Sequence, residues 1–280
     1  MTRRARLGRG LGLALAVLAG AAATSACRRE ISGPEVPLRT IVWQDEFDGP
    51  AGQRPDSTKW GYDLGGSGWG NAQLEYDTDR PDNVALDGQG HLVITARRED
   101  YLGRAYTSAR INTLGRFART HGRFEARVRL PVGQGIWPAF WLLGGDFATV
   151  GWPECGEIDI MEYRGQEPRV VHGSVHGPGY SGGSAITRRF DLPVGTFDGD
   201  FHVFAVDWAP ERITWLVDGI AYHTVTPANL PAGARWVFER PFFIILNVAV
   251  GGNFVGPPDA STVFPQRMTV DYVRVYGTAP

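Results

Sequence analysis

Residues 122–131 read GRFEARVRLP. Phe124, Ala126, Val128 and Leu130 fall on one side of an extended chain, and Arg123, Glu125, Arg127 and Arg129 on the other. Such alternation marks a half-buried strand, because successive side chains point to opposite faces. The same reading extends outward. Residues 92–96, 201–208, 213–217, 242–250 and 268–276 are rich in β-branched and aromatic residues and bounded by Gly, Pro or Asp. Val217-Asp218-Gly219-Ile220 carries the Asp-Gly pair of a two-residue hairpin. No segment shows a sustained helical period with capping residues. Many strands, frequent turn signals and no helices predict an all-β protein, an antiparallel sandwich or jelly roll.

Composition agrees. With 280 residues, 43% hydrophobic and 21% charged, the chain is too apolar for disorder. The 37 Gly, 19 Pro and 32 aromatic residues suit short strands and turns. A net charge of −2 gives no footprint for nucleic acid.

The first 26 residues stand apart. Residues 1–9 hold four arginines and no acid, residues 11–23 are apolar, and Thr24-Ser25-Ala26 precede Cys27. This order predicts an export signal over 1–26. Thirteen apolar residues fall short of the roughly 20 needed to span a bilayer. Small residues before a cysteine resemble a bacterial lipoprotein cleavage site, which makes Cys27 the lipidated mature N-terminus. Thr24 stands where Leu is usual, and an ordinary signal with an incidental cysteine is the alternative. The expected location is a bacterial cell envelope, through the anchor alone, or otherwise the periplasm or exterior. The mature chain carries 24 basic and 30 acidic residues. Residues 27–38, with Pro34 and Pro37, read as a tether, and 39–280 as one β-sandwich domain. If Cys27 is lipidated, Cys155 is a lone thiol and no disulfide forms.

Residues 151–165 read GWPECGEIDIMEYRG. Glu157 and Asp159 share parity and project from one face of a strand. Glu162 has the opposite parity and points into the core unless an extra residue near Ile160-Met161, a β-bulge, returns it to the acidic face. A solvated strand face is one alternative; a helix pairing Asp159 with Glu162 is another, opposed by Pro153 and Gly156. Paired carboxylates are what glycosidic cleavage needs: one ionised to attack or activate water, one protonated to donate to the leaving oxygen. A third acid raises its neighbours' proton affinity by repulsion. Sugar faces stack on aromatics, and Trp137, Phe140 and Trp141 lie in GIWPAFWLL (135–143) just upstream. Trp60, Trp69, Trp152 and Trp236 are further candidates, while Phe140 is expected to pack inside.

GEIDIMEYRG resembles the E-x-D-x-x-E signature of family-16 glycoside hydrolases. WQDEFDG (43–49), WGNAQLEYDT (69–78), YTSARINT (106–113), residues 122–144, HGPGYSGG (176–183), FHVFAVDW (201–208), FFIILNVAVGG (242–252) and MTVDYVRVY (268–276) resemble its bacterial laminarinase branch. The resemblance implies a concave, concanavalin-like jelly roll with an open cleft. It also implies retaining endo-hydrolysis of β-1,3-glucan by double displacement, with no catalytic cofactor and a polysaccharide as partner. A monomer is expected. Carried over residue by residue, it makes Glu157 the nucleophile, Glu162 the general acid/base and Asp159 the nucleophile's assistant. It places Asn71, Arg110, Trp137, Trp141, His176 and Asn247 against sugar. It implies a structural calcium at Glu46, Gly90 and Asp271, built largely from main-chain oxygens. Ala72, Asp77 and Glu239 depart from the pattern, replacing Asn, an aromatic and Asp, and leave the glucan and subsite preference open. Remaining alternatives are the same fold acting on mixed-linkage glucan, agar or carrageenan, a transglycosylase, a non-catalytic lectin-like sandwich, and a serine hydrolase built on Ser174 between His172 and His176.

Overall fold

The alternating stretch becomes β8 (Gly122–Arg129), paired on both sides within a ten-stranded sheet. The computed structural model describes residues 40–277, so the signal, Cys27 and the whole of the tether lie outside the described residues. With strands numbered along the chain, this sheet runs β15 (Ile220–Val225), β14 (Arg212–Val217), β13 (His202–Ala209), β8, β17 (Gln266–Tyr276), β5 (Leu92–Tyr101), β6 (Arg104–Ser108) and β3 (Glu75–Asp77). β1 (Ile41–Asp45) adds to β17 and β4 (Val84–Leu86) to β5. The second sheet has seven strands in the order β12 (Ile186–Asp191), β11 (Val170–His176), β10 (Glu157–Tyr163), β9 (Ile136–Gly144), β16 (Phe242–Val250), β7 (Arg110–Asn112) and β2 (Gly61–Asp63).

The predicted all-β jelly-roll class is what the chain adopts. Phe124, Ala126, Val128 and Leu130 are buried as the alternation requires. Inner faces of both sheets contribute to one apolar core: Phe124, Val206 and Val273 from one, Leu142, Ile158 and Ile244 from the other. Each such side chain contributes about 1.5–3 kcal/mol on burial. Asp218 and Gly219 both have positive φ, 49° and 79°, as a two-residue hairpin turn matching strand twist requires, and Val217 pairs with Ile220 across it.

Two features depart from a purely antiparallel sheet protein. β3 and β6 pair in parallel, a direction that strands of three and five residues do not encode in their own sequence. A single helical turn, α1 (Phe147–Val150), interrupts the β9–β10 connection and buries no residue.

The outer face of the seven-stranded sheet positions the site. Along β16, Phe242, Ile244, Leu246, Val248 and Val250 enter the main core. Phe243, Ile245, Asn247 and Ala249 alternate with them and face the other way. Phe243 and Ile245 join Leu143, Cys155 and Trp141 in a separate cluster, and Ala249 joins Trp137 and Val255 in another. Cross-strand partners share a face. One row therefore runs Glu162, Ala139, Asn247, Arg110, Asp63 across five strands, and a second runs Asp159, Trp141, Ile245, Asn112.

Candidate active site

β10 carries the expected bulge. Against β9, Asp159 pairs with Trp141 and Met161 with Phe140, which leaves Ile160 as the extra residue. Against β11, Asp159 faces Ser174 and Glu162 faces His172, so Ile160 and Met161 together oppose Gly173. Ile158, Ile160 and Met161 all enter the core, and Glu162 returns to the face of Glu157 and Asp159. An unbulged strand would bury Glu162 instead, and a buried unpaired charge costs several kcal/mol, so the bulge wins.

The bulge is braced through the core. Trp215, on the opposite sheet, donates its indole N–H to the Asp159 carbonyl at 2.7 Å. Gly173 makes room for it: a Cβ there would lie 2.4 Å from Trp215 Cδ1 and 2.4 Å from the Tyr222 hydroxyl.

Two tryptophans hold the two glutamates. Trp152 Nε1 donates to Glu157 Oε2 at 2.9 Å. Trp137 Nε1 donates to Glu162 Oε1 at 3.2 Å. Trp137 is buried against Phe254, so it grips the acid more than it offers an open platform, while Trp152 keeps a large exposed face. His176 Nε2 lies 3.0 Å from Asp159 Oδ2 and 3.7 Å from Glu157 Oε1. Its Nδ1 accepts the Gly182 N–H at 3.0 Å. A proton on Nε2 then faces the acids. Asp159, Glu157 and Glu162 outweigh burial and push the His176 pKa up to about 9.

Burial raises all three carboxyls. For Glu162, burial and then the Asp159 charge push the value up to about 8, against His176, Trp137 and Arg164. For Asp159, burial and the Glu157 charge raise it to about 7. Burial and Glu162 also raise Glu157, but His176, a hydrogen bond from Asp159 and the Trp152 N–H favour its charged form. The arrangement can therefore hold one glutamate ionised and the other protonated at the same pH, with a proton on Asp159 directed at Glu157.

The other expected residues fall into distinct places. Trp141 donates to Asn247 Oδ1 at 2.8 Å, leaving the Asn247 amide hydrogens for a ligand. Arg110 donates to Asp63 at 2.8 Å, and its guanidinium lies 4.8 Å from the ring centres of both Trp69 and Trp141. It is thus a braced element of the cleft wall. Asn71 is exposed at the rim; its carbonyl accepts from Asn253, and its chain neighbours Gly252 and, through it, Trp137. Phe140 is in the core as expected. Trp60 is buried, bonded to Asp45, and has no part in the cleft. Trp236 and the divergent Glu239 bond each other, and Glu239 also pairs with His121. Cys155 packs against Leu143, Phe243 and Ile245, and burial and then the Glu157 charge push its thiol up to about 11, so it is inert. Ser174 accepts a hydrogen bond from the Thr187 hydroxyl and has no nucleophile role.

Trp152, His172, Asp63 and Trp215 carry more than their sequence contexts signalled. His172, the cross-strand neighbour of Glu162, is held neutral by burial and Arg164. Only Trp152 had a local cue, lying five residues before Glu157 in one hairpin.

Of the expected calcium ligands, Glu46 and Asp271 lie on adjoining stretches of chain. Asp45 pairs with Val273, which brings Glu46 alongside 271–272, and a Cβ on Gly90 would lie 3.9 Å from Asp48 Oδ1 in the loop after Glu46. The carboxylates are already engaged: Arg274 donates twice to Glu46 at 2.7 and 2.8 Å, and Arg127 donates to Asp271 at 2.6 Å.

The comparisons converge on this geometry. A Beta-glucanase of Rhodothermus marinus is 46% identical over 250 residues, covering 86% of each chain. The laminarinase catalytic domain of Thermotoga maritima MSB8, solved with cetyltrimethylammonium bromide, superposes with a TM-score of 0.82 at 47% identity, covering 86% of this chain and 99% of that one. A variant of a non-specific endo-β-1,3(4)-glucanase of family GH16, co-crystallised with 1,3-β-D-cellotriosyl-glucose, superposes with a TM-score of 0.77 at 37% identity, covering 86% and 95%. Residues 71–274, from the cleft rim through both glutamates to the last strand, match the model of Glycosyl hydrolases family 16, and the chain belongs to that family of glycoside hydrolases.

Proposed function

We propose that the enzyme hydrolyses internal β-1,3-glucosidic bonds of laminarin-type glucan with retention. The observation that carries this reading is the bulge at Ile160, which sets Glu157, Asp159 and Glu162 on one face with a separate indole donor on each glutamate. The Glu157 carboxylate attacks the anomeric carbon while Glu162 gives its proton to the departing sugar oxygen. The C–O bond breaks and a glycosyl ester on Glu157 forms. Glu162, now a carboxylate, takes a proton from water, which attacks the same carbon. The ester is cleaved, Glu157 is released as carboxylate and Glu162 is again protonated. Asp159 lends a hydrogen bond to Glu157, and the chemistry needs no cofactor. Arg110, Trp141, Asn247, Asn71 and His176 line the sugar path.

The test is a panel of laminarin, curdlan, lichenan, agarose and carrageenan, with linkage and anomeric analysis of the products. Short laminari-oligosaccharides of retained configuration are expected. Activity on agarose or carrageenan with none on laminarin overturns the substrate; inverted product overturns the mechanism.

We further propose that the chain is exported and lipid-anchored through Cys27, and that its catalytic unit works as a monomer. The support for the anchor is the order of basic, apolar and small residues before Cys27. Mass spectrometry of the native N-terminus checks it; an unmodified start elsewhere removes it. A structural calcium held by the Glu46 and Gly90 carbonyls with Asp271 is proposed on their proximity, and a rise in Tm when calcium is returned to chelator-treated protein checks that.

A further inference from the structure

Glu75 and Asp77 form a second buried acidic pair, on β3, beside the cleft but apart from the cleavage point. Both are 1% exposed. Glu75 Oε2 accepts the Val250 N–H at 2.7 Å, at the end of β16. Asp77 Oδ2 accepts the indole N–H of Trp69 at 2.7 Å, while its Oδ1 is buried with no hydrogen-bond partner. Burial raises Glu75 to about 7, against the Val250 N–H and the charges of Arg110 and Arg104; burial and then the Glu75 charge raise Asp77, with Asp63 adding to the rise and Arg110 and the Trp69 N–H opposing it. Acids this buried are costly, and Asp77 stands where an aromatic is expected.

What Asp77 holds accounts for its presence. Trp69 has φ of +48°, a left-handed backbone conformation that a bulky side chain adopts only under constraint. Its ring lies against the Arg110 guanidinium, which Trp141 also contacts and Asp63 accepts from. Arg110 sits in the row of Glu162, three strands away, roughly 14 Å at about 4.8 Å per strand. The Trp69–Arg110–Trp141 cluster is therefore a wall of the cleft at a distance where only a substrate of several sugars reaches. Among the described residues, the Trp69 ring is held by this one hydrogen bond and by the Arg110 contact.

We infer that Asp77 is the positioning residue of this wall: it fixes the Trp69 indole against Arg110 and so sets the grip on the remote end of a long glucan chain. This rests on the substrate reading above. Binding energy from remote sugars then depends on a carboxyl that touches no sugar.

The experiment compares Asp77→Ala, Asp77→Asn, Trp69→Phe and the Asp77→Ala/Trp69→Phe double variant on short and long laminari-oligosaccharides. The Trp69 indole N–H resonance is read by NMR without substrate. Asp77→Ala should raise KM for long chains about tenfold, as expected for loss of one hydrogen bond, with kcat and short-chain kinetics within about twofold. Trp69→Phe should match it, and the double variant should be no worse than either single one. Asp77→Asn, which keeps an acceptor, should restore the parent KM. The Trp69 resonance should move in Asp77→Ala and return in Asp77→Asn. A resonance unmoved by Asp77→Ala, equal losses on short and long chains, or additive losses in the double variant overturns the inference. If Asp77→Ala does not fold, Asp77→Val, which also lacks an acceptor, is read in its place with the same expected losses. If the parent cuts no laminari-oligosaccharide, the substrate reading fails while the resonance still tests the placement of Asp77.

Discussion

The indole of Trp152 gives its N–H to Glu157 at 2.9 Å and leans on the His176 ring, 5.9 Å between centres, so one exposed side chain touches two members of the acidic cluster. A hydrogen bond to a charged group is worth about 1.5–3 kcal/mol, or roughly one to two pKa units at the carboxylate. Trp152→Phe keeps a ring and loses the donor. The acid limb of kcat/KM should move up by about one unit, and kcat should fall at least about tenfold, with KM little changed. A pH–rate profile from pH 4 to 9 checks this; an unmoved acid limb means that the bond does not serve the ionised nucleophile.

Glu157→Gln and Glu162→Gln separate the two roles. An amide is a poor nucleophile, so the Glu157 variant should form no glycosyl-enzyme on any substrate. An aryl oligoglucoside with a good leaving group needs no proton, so the Glu162 variant should still form the intermediate, and azide should speed its breakdown. Mass spectrometry of the trapped enzyme with azide kinetics reads both. Azide rescue of the Glu157 variant and not of the Glu162 variant would reverse the assignment.

Much of this was legible from residue order. The alternation in β8 and the β-branched run of β16 announced their strands, since burial on a pleated face leaves a two-residue signature. The bulge was readable because three acids of mixed parity on one strand have few other solutions. The partners that tune those acids were not readable. Asp63 lies 47 residues from Arg110, and Trp215 lies 56 residues from Asp159. Only the order of strands in the two sheets brings them together. Trp137 looked like a platform and proved to be a buried donor to Glu162, because residue type alone does not say which edge of an indole meets solvent. The acidic pair on β3 was invisible for the same reason: three residues carry too little pattern to show what covers them.

The Trp215 brace gives a third test. Trp215→Phe removes the donor to the Asp159 carbonyl and leaves a buried acceptor unpaired, at a cost of about 1–3 kcal/mol. For a domain of this size that lowers Tm by roughly 2–4 °C per kcal/mol. Gly173→Ala should act on the same brace, because its Cβ collides with the indole. Both variants should lose kcat with little change in KM, since the sugar-lining side chains are untouched while the spacing of Glu157 and Glu162 is disturbed. Thermal denaturation and steady-state kinetics together check it. Variants that melt early but turn over normally would show that the bulge holds without the brace.

The alkaline limb of activity belongs to Glu162. Its carboxyl, raised from 4.5 to about 8 by burial and the Asp159 charge, must be protonated to serve as acid. kcat/KM on laminarin should therefore fall as pH rises through about 8, well above the ordinary carboxyl range. The same shift carries a stability sign. A carboxyl whose pKa is raised in the folded state favours the fold when protonated. Its contribution is fully present below about 4.5 and is lost as pH rises through about 8, so the protein should melt earlier at pH 9 than at pH 6. Asp159, raised to about 7, acts in the same direction over a lower window. Glu162→Gln is neutral at every pH. It should flatten the upper part of the Tm-against-pH curve and abolish the alkaline limb for the substrate with a good leaving group. Arg164 and Trp137, which oppose the rise in the Glu162 pKa, supply the converse: Trp137→Phe should move the alkaline limb upward. An alkaline limb that survives in Glu162→Gln assigns it to another group, and His176, at about 9, is the one next in reach.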